Sequence, residues 1–139
     1  MESMMDLRLN GKRALITGSS VGIGEAIAHA LAAEGAAVAV HGRDRERADQ
    51  VARGIIATGG KAVVVLGDLT IDEDVRRMTD EALRLLGGVD ILVNNAGGSG
   101  EKRIWESTPA RDWAAAYDRN VLAAVRVTNI LLPKMRAAG

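Results

Sequence analysis

Thr17-Gly18-Ser19-Ser20-Val21-Gly22-Ile23-Gly24 follows the apolar run Ala14-Leu15-Ile16 and opens an alanine-rich stretch from Glu25 to Glu34. Glycines placed this way bind phosphate without a reactive side chain. A strand that stops, reverses and feeds a helix needs glycine where φ is positive and where a side chain would block a ligand. By analogy with the dinucleotide fingerprint, Gly18 allows the tight turn, Gly22 lets backbone N–H groups reach a pyrophosphate, and Gly24 lets helix and strand pack closely. The spacing is G-x-x-x-G-x-G rather than G-x-G-x-x-G, so the strand before the glycines and the helix after them matter as much as the glycines.

A second group that could recognise a nucleotide lies at Val40-His41-Gly42-Arg43. At the end of a second strand, an acidic residue accepts from the ribose 2′-OH of NAD, whereas a basic one pairs with the 2′-phosphate of NADP. Aligned by Gly35-Ala36, Gly42 takes the acidic residue's place and Arg43 follows it. Glycine removes both a repulsive carboxylate and steric bulk, and a guanidinium makes charge-assisted bonds to phosphate. The expected cofactor is therefore NADP. The alternative is NAD, with Asp44 as ribose acceptor and Arg43 solvated. His41 is expected to pack at the strand end, and His29 lies on a helix with no partner motif.

Bulk properties exclude several other chemistries. The 139 residues make one domain, without repeats or low-complexity tracts. Basic and acidic residues balance at 18 each, which argues against a nucleic-acid partner, and no polybasic block points to a membrane. Zero cysteines exclude disulfides and thiolate chemistry. Two histidines cannot alone build a usual zinc site, so no metal is expected. Met1 to Leu9 lacks a signal-peptide apolar core and no apolar stretch is long enough to span a bilayer, so the expected location is cytoplasmic.

The elements that must position these residues can be read from periodicity. Short apolar runs at Arg13–Thr17, Ala36–His41, Ala62–Leu66 and Asp90–Asn94 suit buried parallel strands. Helical segments near Gly24–Glu34, Asp44–Thr58 and Ile71–Leu86 alternate with them, predicting right-handed crossovers and helices on both sheet faces. Thr70-Ile71-Asp72-Glu73 matches a capping box, and Gly59-Gly60 and Gly87-Gly88 sit where helices stop. A polar loop, Gly97-Gly98-Ser99-Gly100-Glu101-Lys102, then precedes a long helix over Pro109–Met135 with Thr108 as N-cap and Pro109 at N1. Its expected apolar stripe is Trp113, Tyr117, Val121, Ala124, Val125, Thr128, Leu131 and Leu132, and Pro133 should end or kink it.

Four segments together resemble the short-chain dehydrogenase/reductase family: Thr17-Gly18-x-x-x-Gly22-Ile23-Gly24, Asp68-Leu69, Asn94-Asn95-Ala96-Gly97, and Trp113 followed seven residues later by Asn120. The resemblance spans nearly the whole chain and is nearest to NADP-dependent ketoacyl reductases and related ketone reductases. It implies an α/β, doubly wound Rossmann-type parallel sheet in the order 3-2-1-4. It implies that Ser19, Ser20, Gly22, Ile23 and Gly24 line a pyrophosphate and that Asp68 accepts from the adenine amino group with Leu69 beside it. Asn95 would border the adenosine ribose through its main chain, next to Ala96 and Gly97, and Asn94 would tie neighbouring strands together. Asn120 would support a water-linked proton relay to the family's active-site lysine.

The rest of that catalytic set is missing from these residues. The family's serine after the fifth strand and its Tyr-x-x-x-Lys have no counterpart, because the only tyrosine, Tyr117, is followed four residues later by Val121. A tyrosine without such a cation is a poor base at neutral pH. Tyr117 is expected as a core or interface aromatic, and the long helix as a homo-oligomer contact or a cover for the sheet. The chain thus reads as a C-terminally truncated, dinucleotide-binding domain over 1–139, inactive alone, whose completed form would act on a small carbonyl or alcohol. The alternatives are a non-catalytic dinucleotide-binding module and an inactive fragment.

Overall fold

A computed structural model describes residues 5–100 and 104–139. Met1 to Met4, and Glu101 and Lys102 of the expected polar loop, lie outside the described residues. The chain runs β1 (Arg13–Ile16), α1 (Gly22–Ala33), β2 (Ala37–Gly42), α2 (Arg45–Ala57), β3 (Lys61–Leu66), α3 (Asp72–Leu86) and β4 (Ile91–Val93). After a 3-10 turn at Trp105–Ser107, α4 (Ala110–Tyr117) passes through a π turn, Asp118–Leu122, into α5 (Ala123–Ala138).

The four strands are parallel in the order β3-β2-β1-β4. Ile16 stands beside Val40 on one side and Val93 on the other, which aligns the C-terminal ends of β1, β2 and β4. Each strand is apolar on both faces because helices cover both. Ala14, Ile16, Val38 and Val40 pack with Ala28 and Ala32 of α1 and with Ala48, Val51 and Ile55 of α2. Leu15, Ala39 and Val65 point the other way, against Val75, Met78 and Ala82 of α3 and Ala123, Val127 and Leu131 of α5. Fully burying a Val, Leu or Ile contributes roughly 1.5–3 kcal/mol, so these two layers stabilise the sheet whose C-terminal strand ends are aligned.

Helix ends differ from expectation in instructive ways. Thr70 does not cap α3: Ile71 is the N-cap, and Thr70 donates its hydroxyl to Asp68 Oδ1 at 2.7 Å. Asp68 outcompetes the capping box because it lies two residues back and closes an Asx turn with the Thr70 amide at 2.9 Å. Gly87 ends α3 in the left-handed region at φ +78°, as a C-terminal glycine stop requires. Thr108 likewise is not an N-cap, since its hydroxyl bonds Ile104 O at 2.8 Å within the 3-10 turn, which leaves Pro109 as the N-cap of α4.

The long helix carries through Pro133 to Ala138 instead of ending there. Its apolar stripe also differs, because a π turn inserts an extra residue and shifts the helical phase. The inward positions are Ala123, Val127 and Leu131, whereas Trp113, Tyr117, Val121, Val125 and Leu132 are exposed. Tyr117 is therefore not a core aromatic. Trp113 meets Trp105 of the 3-10 turn, with ring centroids 4.8 Å apart. Among the described residues no helix is long and apolar enough to cross a membrane.

Candidate functional site

The order 3-2-1-4 reverses direction between β1 and β4, and a crevice opens outside the strand ends at such a switch point. Here it is a groove of about 730 Å³. The glycine turn forms one wall. Gly18 is left-handed at φ +64°, and a Cβ there would lie 2.8 Å from Ala96 Cα, so both the turn and the neighbouring loop demand glycine. A Cβ on Gly24 would collide with Gly18 O and Asn95 Nδ2, which is the close helix packing expected of it. Gly22 differs: at φ +59° it has nothing within 4 Å of a Cβ, so it faces open groove. Val21, the N-cap of α1, offers no side-chain acceptor, and the first-turn amides are left for a ligand.

Thr17 and Asn95 hold this wall against the loop after β4. Thr17 Oγ1, buried, accepts from Asn95 N at 3.1 Å and from Ala96 N at 3.0 Å. Asn95 Nδ2 returns two bonds, to Thr17 O at 3.1 Å and Gly18 O at 3.0 Å. Asn95 therefore ties β1 to the β4 loop, the work expected of Asn94. Asn94 instead reaches Thr128 Oγ1 on α5 at 3.1 Å, because successive residues leaving a strand point to opposite faces. Ser19 is wholly buried; its hydroxyl donates to Ile16 O at 2.7 Å and accepts from His41 N at 2.9 Å.

The β2 end supplies the charged wall. Arg43 is exposed, lines the groove, and has no hydrogen-bond or ion-pair partner among the described residues. Asp44 is engaged otherwise, its Oδ1 capping α2 at Glu46 N and Arg47 N at 2.9 and 3.3 Å. A Cβ on Gly42 would lie 2.5 Å from Ser20 Oγ, so a larger residue there would have to displace Ser20. At the β3 end, Asp68 takes both Thr70 bonds on Oδ1, and these bonds hold its carboxyl below the usual carboxylate range. Its own amide donates to Asp74 Oδ2 at 2.8 Å.

Two further groups join the walls. Arg126 of α5 donates to Leu69 O at 3.1 Å, Asp72 Oδ1 at 3.0 Å and Asp118 Oδ1 at 2.6 Å. Asn120, in the π turn, accepts from Gly98 N at 3.0 Å and donates to Gly98 O and Ala116 O, both at 2.8 Å. Taking the Ala116 carbonyl four residues back competes with the helix ladder, which accounts for the π turn at this place. A Cβ on Gly97 would strike Asn120 Oδ1, so the polar loop is packed directly on this side chain.

Of the residues picked from sequence, Gly18, Ser20, Gly22, Ile23 and Arg43 line the groove. So do Asp68, Leu69, Asn95, Ala96 and Gly97. Thr17, Ser19 and Gly24 lie behind that lining, and Asn120 stands behind Gly97 and Gly98. Sequence reasoning missed His41, Thr70, Asp118 and Arg119, which also line it. Only His41 left a signal in the sequence: a histidine in an otherwise apolar strand has to find polar partners at the strand end. Among the described residues no group of three His, Asp or Glu could hold a metal.

The chain belongs to the short chain dehydrogenase family, whose model matches residues 12–139. It is 39% identical over 134 residues to the 7α-hydroxysteroid dehydrogenase of Escherichia coli strain K12, covering 96% of this chain and 52% of that protein. A solved structure of 7α-hydroxysteroid dehydrogenase with NADH and 7-oxo glycochenodeoxycholic acid superposes with a TM-score of 0.90 at 39% identity, over 96% of this chain and 52% of that one. L-Sorbose reductase from Gluconobacter frateurii, complexed with NADPH and L-sorbose, gives 0.90 at 38% identity, over 97% of this chain and 51% of that one. The chain thus spans about half the length of the relatives it matches, and shares their Rossmann-type fold over that half.

Proposed function

We propose that these 139 residues are the NADP-binding domain of an oxidoreductase that moves a hydride between NADP(H) and a small carbonyl or alcohol substrate. The groove fits a dinucleotide on its own geometry. Gly22 leaves open space where a Cβ would otherwise project, and the first-turn amides of α1 and its dipole favour a pyrophosphate there. Asp68, held ionised, suits an adenine amino donor, with Leu69 beside the ring. When bound, the nicotinamide supplies the hydride; the chain's residues hold it and shape the groove. Asn120 keeps the Gly97-Gly98 loop in place and serves the proton relay at the nicotinamide end. Tyr117 has Val121, not lysine, four residues later, so the acid/base tyrosine and its lysine would come from outside these residues.

The observation that carries NADP over NAD is Arg43, exposed on the groove with no hydrogen-bond or ion-pair partner among the described residues, beside a Gly42 position that a side chain could fill only by displacing Ser20. A cytoplasmic location and a homo-oligomer complete the proposal. The exposed stripe of Trp113, Tyr117, Val121 and Val125 is the face offered to a second copy. A fluorescence titration of the full chain with NADPH and with NADH tests the preference. Hydrogen bonds to charged groups contribute about 1.5–3 kcal/mol, so Arg43→Glu should weaken NADPH binding by about tenfold or more and leave NADH little changed. Equal losses for both cofactors would reject the assignment of Arg43.

A further inference from the structure

His41 is the only titratable side chain buried among the described residues, at 3% exposure, yet it also reaches the groove wall. Strand alternation puts it on the same side as Ala39, facing the α3 and α5 layer. Both ring nitrogens are engaged. Nδ1 lies 2.9 Å from Gly18 N, and Nε2 lies 2.9 Å from Gly67 O. A backbone N–H only donates and a carbonyl only accepts, so Nδ1 must be bare and Nε2 must carry the hydrogen. The His41 main chain adds two bonds to Ser19, through its amide to Oγ and through its carbonyl from Ser19 N at 2.8 Å. One residue thus links the glycine turn to the end of β3, on two sides of the groove.

We propose that His41 is a positioning residue for the dinucleotide: in its Nε2–H tautomer alone, the ring holds the Gly18 amide and the Gly67 carbonyl in register, and the glycine turn keeps its binding geometry only while Nδ1 is bare. This rests on the dinucleotide reading of the groove. A second proton must land on Nδ1, where it meets the Gly18 N–H donor to donor and leaves that amide unpaired.

The surroundings oppose such a proton. Burial is the main cause that pushes the ring below the usual histidine range, and Arg43 adds to it; the Gly67 carbonyl and the Asp68 carboxylate work the other way. Those two side chains are the charged groups acting on the ring, since Thr17 to Gly24 contains none and Asp74 of α3 is bonded to the Asp68 amide. The folded value lies below the unfolded one, so the neutral ring's contribution is complete above about pH 6.5 and is lost as pH falls through the folded value.

Long-range proton–nitrogen NMR of the full chain reads the tautomer directly, with His29→Gln leaving a single ring to assign. The expected result is the Nε2–H form at neutral pH. NADPH titrations then compare the wild type with His41→Gln, which keeps one donor and one acceptor but cannot titrate, and with His41→Leu. Across the pH range below about 6.5 in which the same NMR spectra show the His41 ring taking up its second proton, the wild type should lose affinity relative to the Gln variant. The cofactor's own phosphate titration, near pH 6, is common to both and cancels. His41→Leu should bind about tenfold more weakly even at pH 8. A charged ring or an Nδ1–H tautomer at neutral pH would overturn the proposal, as would parallel affinity profiles in the wild type and the Gln variant across the range in which the wild-type ring protonates. No NADPH or NADH binding by the wild type at pH 8 would overturn the dinucleotide reading itself, and the proposal with it.

Discussion

Replacing Thr17 by valine keeps the side-chain shape and deletes one hydroxyl, and the structure sets how much that should cost. Thr17 Oγ1 is the acceptor for Ala96 N at 3.0 Å and for Asn95 N at 3.1 Å. Asn95 N has a second acceptor, Val93 O at 3.1 Å, so it is weakened rather than orphaned. Ala96 N, in a part-buried bond, loses its side-chain acceptor, and leaving such a donor unpaired costs at most about 1–3 kcal/mol. Adding about 0.5–1 kcal/mol for the weakened Asn95 bond gives a loss of about 1.5–4 kcal/mol. Thr17→Ser keeps the hydroxyl and deletes one methyl, which costs about 1 kcal/mol. Urea unfolding of the two variants should show this order in the midpoints at an unchanged slope. With slopes of about 1–3 kcal/mol per molar urea, the valine variant should shift by about 0.5 M or more. A valine variant as stable as the wild type, or more stable than the serine variant, would refute the view that this hydroxyl holds the loop after β4.

Other outcomes follow from the same geometry. Gly22→Ala meets only left-handed strain of about 1–2 kcal/mol, and should weaken NADPH binding far more than it weakens the fold, as a titration set beside a melting curve would reveal. Gly24→Ala drives a methyl into Gly18 O and Asn95 Nδ2, so it should destabilise the fold by about 1–3 kcal/mol whether or not cofactor is present, as urea unfolding with and without NADPH checks. Asp90 bonds Arg13 at 3.0 Å, and this bond holds its carboxyl below the usual range. That stabilisation is present above about pH 4 and is lost as pH falls through the lowered value, so Asp90→Asn should flatten the acid side of the stability profile.

The strands and the glycine turn were legible because their signals are local: short apolar runs, glycines at fixed offsets and alternation of element types; the strand order was implied by the family resemblance. The groove wall was less so, because its bonds join residues far apart in the chain. Which of Asn94 and Asn95 turns toward β1 depends on where β4 stops, and a shift of one residue exchanges their roles. Thr70 followed by acidic residues has the form of a capping box, but nothing local shows that Asp68 takes its hydroxyl. The π turn at Asn120 breaks the helical period, so a stripe counted straight through Trp113 to Leu132 places Val121 and Val125 inside when they are outside. His41 was legible as a packed residue; its two backbone partners were not, since they come from the turn after β1 and the end of β3.

Arg126 joins the start of α3, the Leu69 carbonyl and the π turn through a single guanidinium. The groove floor at Leu69 and the wall that carries Asn120 therefore share one fastener, and the width of the groove is not set independently at its two ends. A substitution at Asp72 or Asp118 would be felt on the opposite side as a change in fit. Cofactor affinity and loop placement at Gly98 should then vary together across variants of this clamp, a correlation that separate walls would not produce.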